Sequence, residues 1–523
     1  MTKSQPTTVG IDDMALYVPR LYLPIRTIAE KRGIAYEKLN KGLGLENMAI
    51  PDVHEDAATM AANAVVELIE KNSLRPDQIG RIYLGTESAL DGAKPTATYV
   101  LEMLRRKYRD TFGTECFLHC DVVDLTFACV GGVDALQNTL DWVRNHPDRI
   151  GIVVCSDFAK YELASTGEYT QGAGAIAMLV KHQPRLLHIE DTFGVATRAA
   201  HDFFKPKRKF SKAQIIREVL DLAGLSHIST ESILQKLPDS LDIHGFLDQN
   251  DEVLFLHKDT PVFDGPYSNQ TYQNRIREAF LDFQNKKGDT RGFSLDRWAR
   301  LIFHLPYAAH GRRIATEIFM LDLKQKGQWR QWSQQNDLPE PNASDFETPA
   351  DFEKAYAQFL RALSKTDAYQ NFVREKLRPA EYASAQIGNM YACSIFLALM
   401  STLETDFLAE NDLSGQTFGF FGYGSGSKSK VFEGLIQPQW REVVAGFRIR
   451  QKLSDRVPLD YETYEALHKL ARTQSVCPPN GTFRLAKISD HPTRAGARYY
   501  EWIEKKEGKN SAPAADMQHD LAR

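Results

Sequence analysis

The chain has 523 residues, 43% of them apolar and 25% charged, with a formal charge of −4. That length exceeds one small core and suits two domains or one large duplicated architecture. The nearly balanced charge offers no attraction to nucleic acid or to an anionic membrane surface. The opening MTKSQPTTVGIDDMALYVP carries no apolar leader, and the runs 175–180 and 395–400 are far too short for a membrane span, so a cytoplasmic protein is expected.

Over residues 8–200, strand-like segments at 8–11, 81–85, 117–125, 151–155 and 173–180 alternate with helical patterns at 57–71, 97–107 and 132–145. Such alternation predicts a layered α/β architecture. The texture changes at 205, where KPKRKFSK reads as a solvated basic stretch followed by small helices and turns. A second polar stretch spans about 321–380. Both read as insertions on a scaffold that resumes with a helix at 386–403 and a glycine-flanked strand at 417–421. The expected organisation is an N-terminal half 1–204, an insertion and connecting region 205–290, a C-terminal half 291–504 containing the second insertion, and a polar tail 505–523.

Six cysteines in so long a chain do not form a disulfide framework, and no CxxC or His pair suggests zinc. Only Cys129 has an activating setting. In DVVDLTFACVGGVDALQNTLDWV, residues 121–143, it lies where an extended segment turns into a helix. Unpaired N–H groups and the positive dipole end there favour thiolate over thiol. A buried, inert cysteine is the plainer alternative.

Three further stretches offer the proton transfer and oxyanion stabilisation that a sulfur nucleophile needs. GTESALDGAKP places Glu87 just after a strand, either as a solvated loop residue or as a general acid or base beside an apolar wall. LIFHLPYAAHGRR ends a strand at His304, which is either a hydrogen-bonded core histidine or a ring facing the end of the sheet. His310, beside Arg312 and Arg313, suits phosphate better than chemistry. FFGYGSGSKSK enters a glycine-rich loop able to act as an oxyanion or phosphate nest, but Lys428 and Lys430 are misplaced for a P-loop.

Nine segments in order (VGIDDMALYVP, GTESALDGAK, the CVGG of 129–132, YTQGAGAIAM, HDFFKP, DGPYSNQTY, FHLPY, IGNMY and FGYGSGS) resemble the 3-hydroxy-3-methylglutaryl-CoA synthase family of the thiolase superfamily. The resemblance implies a thiolase-like layered αβαβα fold of two similar halves, with two insertions, as a homodimer. It implies that Cys129 accepts an acetyl group from acetyl-CoA. Glu87 then deprotonates its methyl group, and His304 serves the alkoxide formed on acetoacetyl-CoA. Water releases 3-hydroxy-3-methylglutaryl-CoA, a step of isoprenoid supply through the mevalonate pathway. By the same resemblance the amides of Cys129 and Gly422 form an oxyanion hole, Tyr161 flanks the nucleophile, and Thr170, Ser268, Asn389 and Tyr423 contact substrate. Arg313 faces CoA, and no metal or redox cofactor is required.

Three positions depart from the family pattern: Ala309 replaces a lysine near the CoA phosphates, Ala164 an asparagine, and Gly422 a serine. Losing the lysine would weaken phosphate binding by about 1–2 kcal/mol unless His310, Arg312, Arg313 or an insertion compensates. Two alternatives stay open. One is a β-branching synthase acting on a ketone carried by an acyl carrier protein, with KPKRK or Arg312 and Arg313 as its docking surface. The other is a non-catalytic scaffold that uses its insertions to bind partners.

Overall fold

The computed structural model describes residues 8–236, 253–288 and 293–505, so the tail beyond 505 lies outside the described residues. The elements that carry the site are β1 (Val9–Tyr17), α1 (Ala57–Lys71), β2 (Ile79–Gly85), α2 (Thr96–Phe112), β3 (Asp121–Leu125), α3 (Gly131–Arg144), β4 (Ile150–Ala159) and β5 (Gly172–His182). After β6 (Leu187–Ile189) come β7 (Gly194–Thr197), α4 (Gly265–Lys286), β8 (Trp298–Phe303), α5 (His310–Gln325), α6 (Ser394–Leu408), β9 (Thr417–Gly424) and β10 (Lys428–Ile436).

The ten strands form one mixed sheet in the order β8-β9-β10-β6-β1-β5-β4-β2-β3, with β7 also paired to β10. Its two ends repeat one pattern. β2 runs parallel to β4, which is antiparallel to β5, which is antiparallel to β1. Likewise β8 runs parallel to β9, which is antiparallel to β10, which is antiparallel to β7. The helices fall at matching places, α1 with α4, α2 with α5 and α3 with α6. This is an internal duplication, and it makes the layered α/β fold expected from the sequence concrete.

Strand periodicity explains the layers. Successive side chains of β4 and β5 point to opposite faces. Val153, Cys155, Ile176, Met178 and Val180 join a core shared with α3 and the C-terminal half. Ile152, Val154, Ala175, Ala177 and Leu179 pack instead with α1 and α2. Helix α1 starts at Asp56, whose side chain accepts from the Thr59 amide at 2.9 Å while Thr59 returns a bond to the Asp56 amide, closing a capping box. Helix α6 is buried nearly all round, as a central-layer helix must be. The stretch Tyr391–Leu408 is long and apolar enough to cross a bilayer, but it is 83% buried inside the protein.

Three expectations need correction. The 205–258 region is not small helices alone. Lys207–Ser211 pairs antiparallel with Val253–His257, and Lys212–Leu222 is a helix capped by Ser211. The helix expected at 386–403 is broken, because Gly388 takes φ 89° and Tyr391 φ 42°, and α6 begins only at Ser394. That break carries Asn389 and Tyr391 into the site. The strand expected at 117–125 starts at Asp121, since Phe117 takes a left-handed φ of 67°.

Candidate active site

The site grows from the ends of adjacent parallel strands. Gly85 of β2 pairs with Leu125 of β3 on one side and Cys155 of β4 on the other. The residues just beyond, Glu87, Cys129 and Asp157, therefore emerge together. Ligand sites form at such carboxyl ends in α/β sheets. Two close backbone approaches fix the nucleophile loop. A Cβ on Gly132 would lie 2.5 Å from Cys155 Sγ and 2.7 Å from the Ala392 carbonyl oxygen. One on Gly424 would lie 2.6 Å from the Phe127 carbonyl oxygen. Any side chain there would push the Cys129 loop out of place.

Cys129 Sγ donates to Glu87 Oε1 at 3.1 Å. Burial, and then the Glu87 charge, raise the thiol well above the usual cysteine range. This corrects the expectation of a thiolate at a helix mouth. The dipole end of α3 amounts to roughly half a charge, and it is outweighed by desolvation and a whole carboxylate. Cys129 rests as a neutral thiol hydrogen-bonded to its base.

Glu87 is itself raised by burial, opposed by the cation of Lys205. Lys205 Nζ lies 3.8 Å from Glu87 Oε2, bonds the Glu87 carbonyl oxygen at 3.3 Å and sits 4.7 Å over the Tyr391 ring. The basic stretch read as solvated thus sends its first lysine into the site. Removing that cation, as in Lys205→Met, takes away the opposing term, so Glu87 ionises only at higher pH. The acid limb of the pH–rate profile is expected to move to higher pH, measured as initial rate against pH.

Asp157 holds this arrangement. Its Oδ1 accepts from the Glu87 amide at 2.9 Å and from Thr86 Oγ1 at 3.0 Å, and its Oδ2 accepts from the Ala392 amide at 3.0 Å. Burial, then the Glu87 charge, raises it to about 7. A charged residue inside the apolar strand GIVVCSDF was the signal that sequence reasoning passed over. Asp202, also unpredicted, joins three separate motifs by accepting from Tyr423 OH at 2.6 Å, the Gly426 amide at 2.8 Å and Ser268 Oγ at 3.4 Å.

A cavity of about 1290 Å³ opens onto Cys129. Of the residues singled out from the sequence, His304, Tyr161, Thr170, Ser268, Arg313, Asn389 and Tyr423 line it with Cys129. His304 follows β8, with its amide bonded to the Phe421 carbonyl oxygen at 3.1 Å and its own carbonyl accepting from Tyr272 OH at 2.7 Å. Burial lowers it to about 3, so the ring is neutral at working pH and can donate one N–H. Gly422 is not in the cavity wall. It lies in β9, where a Cβ would come 3.2 Å from Val133 Cγ2 and 3.4 Å from Val130 Cγ2, behind the nucleophile. Glu87 does not line this cavity either. It reaches Cys129 from the opposite side, where a second cavity of about 440 Å³ lies.

His310 lines the main cavity too, and burial first, then the neighbouring Arg313 and His304, lower it well below the usual histidine range, so its ring offers a phosphate no charge. It is 2% exposed, between the Tyr272 ring at 4.9 Å and the Tyr307 ring at 4.6 Å. Arg312 is tied to Glu381 as a salt bridge, which leaves Arg313 as the helix-start cation facing the cavity. Ala164 sits at φ 63°, a left-handed conformation that asparagine tolerates better than alanine.

Two family models cover most of the chain: "Hydroxymethylglutaryl-coenzyme A synthase N terminal" matches residues 5–184, and the corresponding C-terminal model matches 255–478. The chain belongs to the hydroxymethylglutaryl-CoA synthase family. Relatives include the hydroxymethylglutaryl-CoA synthase of Haloferax volcanii, 29% identical over 95% of this chain and all of the relative. That of Enterococcus faecalis is 26% identical over 88% of this chain and 91% of its own. Among solved structures, MvaS in complex with 3-hydroxy-3-methylglutaryl coenzyme A superposes with a TM-score of 0.70 at 26% identity, covering 95% of this chain and all of that one. For this family member, Cys129 and the neutral His304 on the main cavity, with Glu87 touching the sulfur from behind, form a set suited to acyl transfer followed by carbon–carbon bond formation.

Proposed function

We propose that this protein condenses acetyl-CoA with acetoacetyl-CoA to 3-hydroxy-3-methylglutaryl-CoA through an acetyl-Cys129 intermediate. The observation that carries this reading is the 3.1 Å contact between Cys129 Sγ and a carboxylate buried with it. As sulfur attacks the acetyl thioester, Glu87 takes the thiol proton, and the departing CoA thiolate accepts a proton to leave as free thiol. Glu87, again a carboxylate, then removes a proton from the acetyl methyl group. The enolate carbon attacks the ketone carbon, and His304 donates a hydrogen bond from its N–H to the oxygen that becomes negative. That alkoxide becomes the hydroxyl as Glu87 gives up the methyl proton, which leaves Glu87 a carboxylate for the last step. Acid–base assistance of this kind contributes about 10²–10⁴-fold. Water finally cleaves the thioester to Cys129. Mixing the protein with both thioesters and following free thiol tests this: steady release with the branched product supports it, and silence refutes it.

A third cavity of about 410 Å³ favours free CoA thioesters over carrier-borne ones. It shares Arg313, Arg361 and Tyr307 with the main cavity, adds Lys41 beside Ala309, and has no carboxylate among its lining residues; Arg312 lines it too, but its charge is already met by Glu381. Cations concentrated there suit the phosphates of CoA and supply the charge that Ala309 lacks. Arg361→Ala is expected to raise KM for both CoA thioesters about tenfold with kcat held, and to leave KM for a pantetheine thioester without phosphates unchanged. Steady-state kinetics on the two substrate forms checks it.

The same reading carries a homodimer, supported by β3 standing at the edge of the sheet with one side unpaired. It also carries a place in the cytoplasm, where the six free thiols suit a reducing compartment.

A further inference from the structure

Glu87 stands between two cavities that share no lining residue. Cys129 and Tyr391 line the main one, whereas Glu87, Ser88 and Lys205 line the one behind. The wall between them is built from the Cys129–Glu87 contact and the Tyr391 ring beneath the Lys205 ammonium. The back cavity runs out to solvent at Leu470, 80% exposed, and Ile488, 48% exposed. Its wall is largely apolar but sets a file of polar groups among the apolar ones, Glu55, Lys160, His468 and Arg498 besides Glu87, Ser88 and Lys205. Such a wall suits water, which needs two to four polar partners.

The function proposed above, on which this inference rests, consumes one water and releases one proton. The water must meet Glu87, and the proton comes from the carboxylic acid formed beside it. At that stage the acyl group on Cys129 carries a CoA thioester at its far end, and that arm occupies the main cavity. We propose that the back cavity is the route by which the hydrolytic water reaches Glu87 and by which the proton leaves. Glu87 takes a proton from the water as its oxygen bonds to the thioester carbonyl carbon. The carbon–sulfur bond breaks, and the Cys129 thiolate takes that proton from Glu87. The new carboxylic acid then loses its own proton to solvent through the same opening. Ser88 and Lys205 are positioning residues for this traffic, since neither touches the reacting carbons.

Two fillings of the cavity test it: Ala89→Trp at an exposed position of its wall, and Ala57→Leu in its buried wall. Neither residue touches Cys129 or the main cavity. Acetylation of Cys129 by acetyl-CoA alone is expected at the parent rate in both, which certifies an intact site. With both thioesters present, turnover is expected to fall about tenfold. Intact-protein mass spectrometry after quenching is expected to find the condensed CoA adduct accumulated on Cys129. Parent turnover with no adduct in both variants would overturn the back route while leaving the proposed reaction standing. Failure of the unaltered protein to become acetylated would instead remove the reaction, and this inference with it.

Discussion

Cys129→Ser is expected to take up no acetyl group from acetyl-CoA and to lose turnover by on the order of 10⁴-fold or more. Serine fits the space, since Cys129 is 8% exposed among Ala159, Tyr161 and Tyr391. The difference is acidity. Glu87, even raised by burial, can share a proton with a thiol, but an alcohol holds its proton far more tightly. Cys116→Ser, far from the cavity, is the control and should label normally. Radiolabelled acetyl-CoA followed by gel separation reads both.

Glu87→Gln should divide the reaction. Condensation is expected to fall by about 10³–10⁴-fold, because among the described residues no other carboxylate hydrogen-bonds the Cys129 sulfur to take the methyl proton. Acetylation is expected to persist. Glu87's charge is one of the causes holding the Cys129 thiol high, so removing it lowers the thiol while it removes the base, and the two effects oppose. Acetyl-enzyme should therefore accumulate, seen by mass spectrometry and by loss of product. The pH profile of the parent follows from the same groups. Condensation needs Glu87 as carboxylate, and burial raises its pKa, so the rate climbs with pH through a point above the usual carboxylate range. His304, lowered to about 3, stays neutral throughout and adds no limb.

Much of the site was legible because each chemical residue follows a strand whose pattern is strong. Glu87 follows RIYLG, Cys129 follows DVVDL and His304 follows ARLIF, so their positions at one end of the sheet follow from topology. The cysteine's charge state was not legible. A helix mouth is visible in sequence, but the burial of the sulfur, and then the carboxylate 3.1 Å from it contributed from 42 residues away, reverse the sign of the shift. Lys205 was missed because KPKRKFSK reads as a solvated run, and only the pairing of Phe203–Phe204 with Val262–Phe263 beside it turns the chain toward Glu87. Asp157, Asp202 and Tyr391 were missed because each works by joining segments distant in sequence. The break at Gly388 hid within a convincing helical pattern. Buried apolar residues on both sides of it, Ile387 and Met390, keep the periodicity going while the backbone does not.

The measurement that bears most directly on the Cys129–Glu87 pair is a two-step peptide-mass experiment. Protein is treated with acetyl-CoA, sampled, then given acetoacetyl-CoA and sampled again. The expected result is one acetyl group on the Cys129 peptide in the first sample, absent from the second, with 3-hydroxy-3-methylglutaryl-CoA formed in its place. An unmodified Cys129 in the first sample, or an acetyl group that survives acetoacetyl-CoA, would contradict it.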